Sequence, residues 1–299
     1  MAKFDSYQQI GLAEDVQDAI YRISPVDAPV VSMSKNIRAT GKIHEWHQHE
    51  LTAAGTNAHV EGADAPADSS TPVVNKFNYC QIMSKVAEIA GTLEAVDKYG
   101  RDSEMAFQLE RIYGELANDE EFAVVGTQQA GNAGTTAAAR ELISFIPQLD
   151  ATMVSASAAT DAAGTEAELV TAHQACYEAG GNPGYLVCSP GTSNIISDFA
   201  KASGRWRDIR NEKTVVNVVD LYVSNFGELD VVIDRNCEED VIIGFDPEYA
   251  ATAILRPTTD WELAKIGDSM RRQVLREGTY AVLNDKAHFA MTSVDLSAV

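Results

Sequence analysis

The chain has 299 residues, 45% of them hydrophobic, with 44 acidic against 23 basic side chains and a formal net charge of −21. That is enough apolar material for one large domain or two modest ones folding without staples, and the acidity argues against a sequence-independent grip on nucleic acid or anionic membranes. Cys80, Cys176, Cys188 and Cys237 are widely spaced with no CxxC, which excludes a zinc knuckle and a redox motif, and three of them read as small buried hydrophobes. No window approaches the roughly 20 apolar residues of a membrane helix, and the N-terminal stretch lacks a basic start followed by an apolar core, so a reducing cytoplasm is expected.

Residues 1–36 read as a thin arm. Glu14 to Ile23 patterns as a short helix with Val16, Ala19, Ile20 and Ile23 on one side, and Pro25 and Pro29 then force an extended, non-helical run through VDAPVVSM. Such an arm must lie on the rest of the protein or on a neighbour. From Ile37 to Tyr79, strand-like TGKIHEWHQHEL and the start of VVNKFNYCQIMSKVAEIAGT flank a polar interval rich in Gly, Ala, Asp, Ser and Pro, which predicts an extended hairpin with a loose tip. A two-stranded hairpin is marginal alone and wants a partner surface.

Gly100 to Gly126 predicts the longest helix. Met105, Leu109, Ile112 and Leu116 recur at four- and three-residue steps as one apolar stripe, with Asp102 or Ser103 as cap and Gly126 as stop. One stripe needs one packed face. Glu104, Glu110, Arg111, Glu115, Asp119, Glu120 and Glu121 are then left for solvent or another subunit. Gly114, costing up to about 1 kcal/mol against Ala, marks close approach of a neighbouring element.

A Gly- and Ala-rich connector follows, and ELISFIPQL opens a different unit. A helix over 165–179, a GGNPG break, a YLVCS strand and a second helix capped near Thr192 or Ser193 make an α-β-α succession. Residues 214–235 predict a hairpin turning near Gly227, and VIIGFDP and AATAILRP two further strands. From Trp261 onward strands follow one another, with Tyr280, Val282 and Leu283, then His288, Ala290 and Thr292, as the last pair.

The densest group of metal-ligand types is HEWHQH. In a strand His47 and His49 share one face and His44 and Trp46 the other, so the imidazoles cannot meet at one metal without a bulge, and no distant ligand completes a zinc set. Polar strand residues are the expected reading; a cytoplasmic metal-dependent α/β enzyme using His44, His47 and His49 is the alternative from another class. Cys188 to Ser193 sits where a nucleophile elbow would, but it lacks GxSxG and Pro190 removes an amide, so a capped helix start is expected. Gly131 to Thr136 lacks the P-loop lysine. His173 and His288 have no acid or nucleophile at a useful spacing, and Glu238, Glu239 and Asp240 read as a solvated turn. Arg205-Trp206-Arg207 is a basic aromatic spot suited equally to a subunit contact and to packing on its own domain.

The order of arm, long hairpin, spine helix, α/β insert and terminal strands resembles the major capsid proteins of tailed phages with the Hong Kong 97 fold, also called the Johnson fold. Its carriers are NKFNYCQIMSKVAEIAGTLEAV, with a Gly-Thr turn before the helix, running into GRDSEMAFQLERIYGELANDEEFAVVG, and the closing WELAKIGDSMRRQVLREGTYAVLNDKAHFAM. The resemblance implies an α+β fold with an N-terminal arm at 1–36, an E-loop hairpin at 37–78, a P-domain formed by 79–129 and 255–299, and an A-domain at 130–254. It implies a subunit without catalysis or cofactor that assembles as hexamers and pentamers into the icosahedral head shell around the genome. An encapsulin-like nanocompartment shell is the alternative on the same fold.

The implied partners are copies of the chain itself, a separate scaffolding protein, since the stretch before the hairpin leaves no room for a fused one, a portal protein and a cement or decoration protein. Packaged DNA is non-specific contents, no membrane is involved, and the location is the virion, assembled in the host cytoplasm. Contact candidates are Lys42, His44, Trp46 and Lys76 on the hairpin, then Glu110, Arg111 and Glu115 on the helix, where a neighbour's E-loop or arm is expected to cross, and Arg205, Trp206 and Arg207. Some relatives cross-link an E-loop Lys to a P-domain Asn; Lys42, Lys76 and Asn284 are present without a matching motif.

Overall fold

Two sheets and the helices laid against them organise the chain in a computed structural model that describes residues 26–52, 54–62, 64, 70–98, 102–202 and 221–296. The expected helix over 14–23 and the Arg205–Arg207 spot lie outside the described residues. In chain order, α1 (Pro29–Met33) and β1 (Lys35–Arg38) precede the hairpin strands β2 (Ile43–Gln48) and β3 (Val74–Tyr79). Next come β4 (Gln81–Ala90), the short α2 (Gly91–Ala95) and the long α3 (Glu104–Glu121), continued by a π-helical turn, Phe122–Gly126. After them lie β5 (Ala130–Asn132), β6 (Glu141–Ile143), β7 (Val154–Ala156), α4 (Ala162–Glu178), β8 (Tyr185–Cys188) and α5 (Pro190–Ala202). The chain closes through β9 (Leu221–Val223), β10 (Glu228–Ile233), β11 (Ile242–Phe245), β12 (Ala250–Glu262), β13 (Ser269–Val282) and β14 (Phe289–Thr292).

One sheet has four strands in the order β1-β12-β13-β4, the other six in the order β7-β14-β11-β8-β10-β9, while β2-β3 and β5-β6 form separate two-stranded ladders. The long strand β13 pairs with β4 from Ser269↔Ala90 to Gly278↔Gln81 and with β12 on its other side. The β12 register shifts between Ile254 and Thr259, where Pro257 has no N–H to give to the ladder.

The expected stripe of α3 is its packed face. Met105, Ile112 and Leu116, with Leu109 beside them, lie on Met83, Ala87 and Ile89 of β4 and on Met270 and Val274 of β13. Alternate residues of β4 meet the helix, as a pleated strand requires. Ser103 is the cap: its hydroxyl accepts from Ala106 N at 3.2 Å and donates to Glu94 of α2 at 2.7 Å. Beyond Glu121 the π-turn buries three consecutive residues, Ala123, Val124 and Val125, which an α-helix advancing about 100° per residue cannot place on one face.

The six-stranded sheet has both faces covered. Leu186, Cys188, Leu229, Ile242, Phe289 and Met291 meet the helices α4 and α5, and the alternate residues Val187, Ile243, Phe245 and Ala290 meet the π-turn, Phe145 and Tyr280. Burial pushes all four thiols above their ordinary range, so they stay protonated as core residues.

Four expectations are corrected. The run VDAPVVSM, expected to be extended and non-helical, ends in the helix α1, because Pro29 stands at its first position, where a missing N–H costs nothing. The residues read as a last pair separate: β13 belongs to the four-stranded sheet, whereas β14 inserts between β7 and β11. Helix α5 begins at Pro190, and its cap is Ser189, whose hydroxyl accepts from Thr192 N at 3.2 Å. The charged face of α3 is not all free: Glu104 and Glu120 are 5% exposed and Glu121 0%, because β13 and the arm approach the helix flanks. Glu120 meets Arg276 of β13 at 2.8 Å.

Candidate inter-subunit surface

The hairpin ladder runs from Ile43↔Tyr79 to Gln48↔Val74. Strand alternation puts Ile43, Glu45 and His47 with Tyr79, Phe77 and Asn75 on one face and His44, Trp46 and Gln48 with Asn78, Lys76 and Val74 on the other. His44 and Trp46 are half-buried neighbours with ring centroids 5.8 Å apart, and burial lowers the His44 pKa. His47 and His49 instead line an open cleft of about 330 Å³ with Lys35, Glu50, Glu248 and Asp285. Among the described residues no three His, Cys, Asp or Glu side chains are placed to hold a metal ion.

The hairpin is held at both ends of its ladder. Asn78, fully buried, donates to Tyr280 O (2.6 Å) and Ile143 O (3.0 Å) and accepts from Ile143 N (2.7 Å). The turn after β13 adds a latch: Leu283 O accepts from Gln48 Nε2 at 3.0 Å, Asp285 meets Lys76 at 2.6 Å and Lys286 meets Glu50 at 2.8 Å. Between and beyond these anchors apolar side chains stand in the open, among them Val74, Phe77 at 45% and Leu51 at 91% exposure. Lys76, a contact candidate, is thus engaged within its own chain. Asn284 accepts from Lys286 N at 3.0 Å within the same turn.

On α3, Arg111 reaches Glu115 at 3.3 Å and Lys85 of β4 lies 3.2 Å from Glu115 and 2.8 Å from Asp119. Burial opposes the Lys85 charge, but its bonds to Asp119 and Glu115 outweigh that and raise its pKa. Exposed pairs of this kind contribute roughly 0 to 1 kcal/mol each and leave the face able to exchange partners. Glu110 and Lys42 are exposed.

A second cluster, which the sequence reading missed, docks the base of the arm on the end of α3. Asp27 N donates to Asn118 Oδ1 (2.9 Å), Asp27 O accepts from Asn236 Nδ2 (2.6 Å), and Val30 N and Val31 N donate to the two carboxyl oxygens of Glu121 at 2.8 and 2.9 Å. Ser34 and Tyr280 hydroxyls meet at 2.7 Å. Gly114 was the one available signal: a Cβ there would stand 2.8 Å from Val26 Cγ2.

A profile of the SU10 major capsid protein family matches residues 2–295. The major capsid protein of Escherichia phage Phieco32 is 36% identical over 119 residues, which cover 40% of this chain and 34% of that protein, so the match spans about a third of that relative's length. Among solved structures, that of Mycobacterium phage Adephagia is similar with a TM-score of 0.69 at 12% identity, covering 97% of this chain and 98% of that one. The major capsid and decoration proteins of phage G give 0.62 at 10%, covering 99% and 100%. The encapsulin complex of Synechococcus elongatus gives 0.65 at 9%, covering 99% and 98%.

Proposed function

The chain belongs to the SU10 major capsid protein family, and on that premise we propose that it is the shell subunit of a tailed-phage head, assembling as hexamers and pentamers into an icosahedral shell around the packaged genome. Its α+β fold is of the Hong Kong 97 type. The observation that carries the reading is the hairpin, which is held at both ends of its ladder yet presents Val74, Phe77 and Leu51 to water. Apolar surface held out on an extended element is what a partner covers.

In this reading residues 1–36 are the arm, 37–78 the E-loop, 79–129 with 255–299 the P-domain and 130–254 the A-domain. The hairpin or arm of one copy crosses a neighbour's α3 near Glu110, Arg111 and Glu115. Lys42, His44 and Trp46 contribute from the hairpin, and Arg205, Trp206 and Arg207 from the A-domain. A separate scaffolding protein, a portal protein and a decoration protein are the expected partners, the protein has no catalytic task, and assembly precedes its place in the virion. The encapsulin likeness, at 9% identity, reflects the shared fold and carries no second reading.

The test is assembly. Purified protein, alone or with scaffold, forms capsomers or closed shells by size exclusion and electron microscopy; a strict monomer under every condition would overturn the reading. Charge reversal at Glu110, Arg111 or Glu115, made singly, is expected to weaken assembly more than folding, since the ion pairs of Arg111 and Glu115 are exposed. Equal loss of both would make that face purely intramolecular.

A further inference from the structure

Where α3 ends, two carboxyl groups face each other out of reach of water. Glu121 and Asp234, the residue after β10, are both 0% exposed. The Glu121 oxygens accept from Val30 N and Val31 N, and Asp234 Oδ1 accepts from Asn236 N at 2.8 Å. Asp234 Oδ2 is buried with no N–H or O–H donor in reach, and the group in hydrogen-bonding contact with Asp234 is the Glu121 carboxyl. Two ionised carboxylates have only acceptors to offer each other, so this contact is a bond only while one of them carries a proton.

Among the described residues no basic group acts on either carboxyl to replace that proton. On α3 the neighbouring Glu120 is taken by Arg276 of β13. From the N-terminal segment comes Asp27, and Arg235, next to Asp234 in sequence, is exposed and lies 4.0 Å from Asp27. The loop after β10 adds Glu238 and the buried thiol of Cys237. From β13 the Tyr280 hydroxyl faces Glu121 but is held by Ser34.

We propose that Glu121 and Asp234 form a proton-dependent clamp that holds the base of the arm, residues 26–34, on the end of α3, closed while the pair shares one proton and released when that proton is lost. The pair lies between three elements: α3 and β10 are each fixed in a core by several residues, whereas α1 is a helix of five residues with one fully buried side chain, Val30. Lifting α1 is therefore the least costly way to let water reach a doubly charged pair. Burial, followed by the Asp234 charge, pushes the Glu121 carboxyl up to about 8, and burial raises Asp234 as well. The sign follows from linkage: a carboxyl whose folded pKa lies above its unfolded value stabilises the closed form fully below the ordinary carboxylate range and loses that contribution as pH rises through about 8.

Amide hydrogen exchange of the full chain tests this, with Val30 and Val31 followed between about pH 6 and about pH 9.5 after correction for intrinsic base catalysis, and Ile112 of α3 as internal reference. Protection at Val30 and Val31 is expected to fall by up to tenfold per pH unit, the limit for loss of one proton, from about pH 6 to about pH 8 and to level off above it, while Ile112 keeps its protection. Asp234→Asn removes the second charge at constant shape, and its protection at Val30 and Val31 is expected to be flat across the range. Glu121→Gln carries the same flat expectation, so a folding defect in one variant leaves the other to decide. Wild-type protection independent of pH, or an unaltered fall in a folded variant, overturns the clamp. The measurement does not depend on shell assembly, so its failure leaves the proposed function standing.

Discussion

His288 sits fully buried between Phe145 and Phe245, with ring centroids at 5.0 and 5.6 Å, and its Nδ1 accepts from Asp246 N at 3.1 Å. The lone pair on Nδ1 fixes the neutral form, and burial lowers its pKa to about 4. The unfolded chain binds this proton near pH 6.5, so stability is complete above that and falls as pH drops toward 4, by roughly 3 kcal/mol in all. Urea denaturation at pH 7 and pH 5 is expected to show part of that loss in the wild type and not in His288→Gln; the same loss in both would assign it to other groups. From sequence alone His288 had no partner by spacing, since Asp246 and Phe145 reach it across the sheet. Asn78 was silent for the same reason: its bonding partners Ile143 and Tyr280 lie 65 and 202 residues away.

At the level of elements, α3 shows where periodicity is informative and where it stops. The stripe from Met105 to Leu116 was legible because one sheet face meets one helix face. The burial of Glu104, Glu120 and Glu121 was not, because charge does not report a partner 90 residues earlier or more than 150 residues later. Gly114 carries a prediction here. Ala at this position gains up to about 1 kcal/mol of helix propensity, yet its Cβ would meet Val26 Cγ2. Gly114→Ala is expected to melt at or slightly above the wild-type temperature while the Asp27 amide loses protection from exchange. Unchanged protection at Asp27 would show that Val26 moves aside without disturbing the arm. The hairpin alternation of His44 and Trp46 against His47 was likewise readable in HEWHQH, but the latch at Gln48, Asp285 and Lys286 was not, because it joins two turns distant in sequence.

For the whole molecule, the order of elements was readable and the pairing of strands was not, since near-neighbours in sequence went to different sheets. In the four-stranded sheet β1 pairs with β12, and in the six-stranded sheet β14 separates β7 from the other four strands. Deleting residues 289–292 therefore removes an internal strand and the Phe289 and Met291 packing beneath α4, not an edge. Such a chain is expected to lose cooperative thermal unfolding and native near-ultraviolet dichroism; retention of both would show that β7 can close on β11 unaided. The same topology sets a schedule for synthesis. A nascent chain that has emerged only as far as β11 has neither sheet closed, because the strands that complete them have yet to leave the ribosome. A stalled or prematurely ended product thus lacks both finished layers and cannot pass as a subunit, so quality control of the building block is built into the order in which its strands are made.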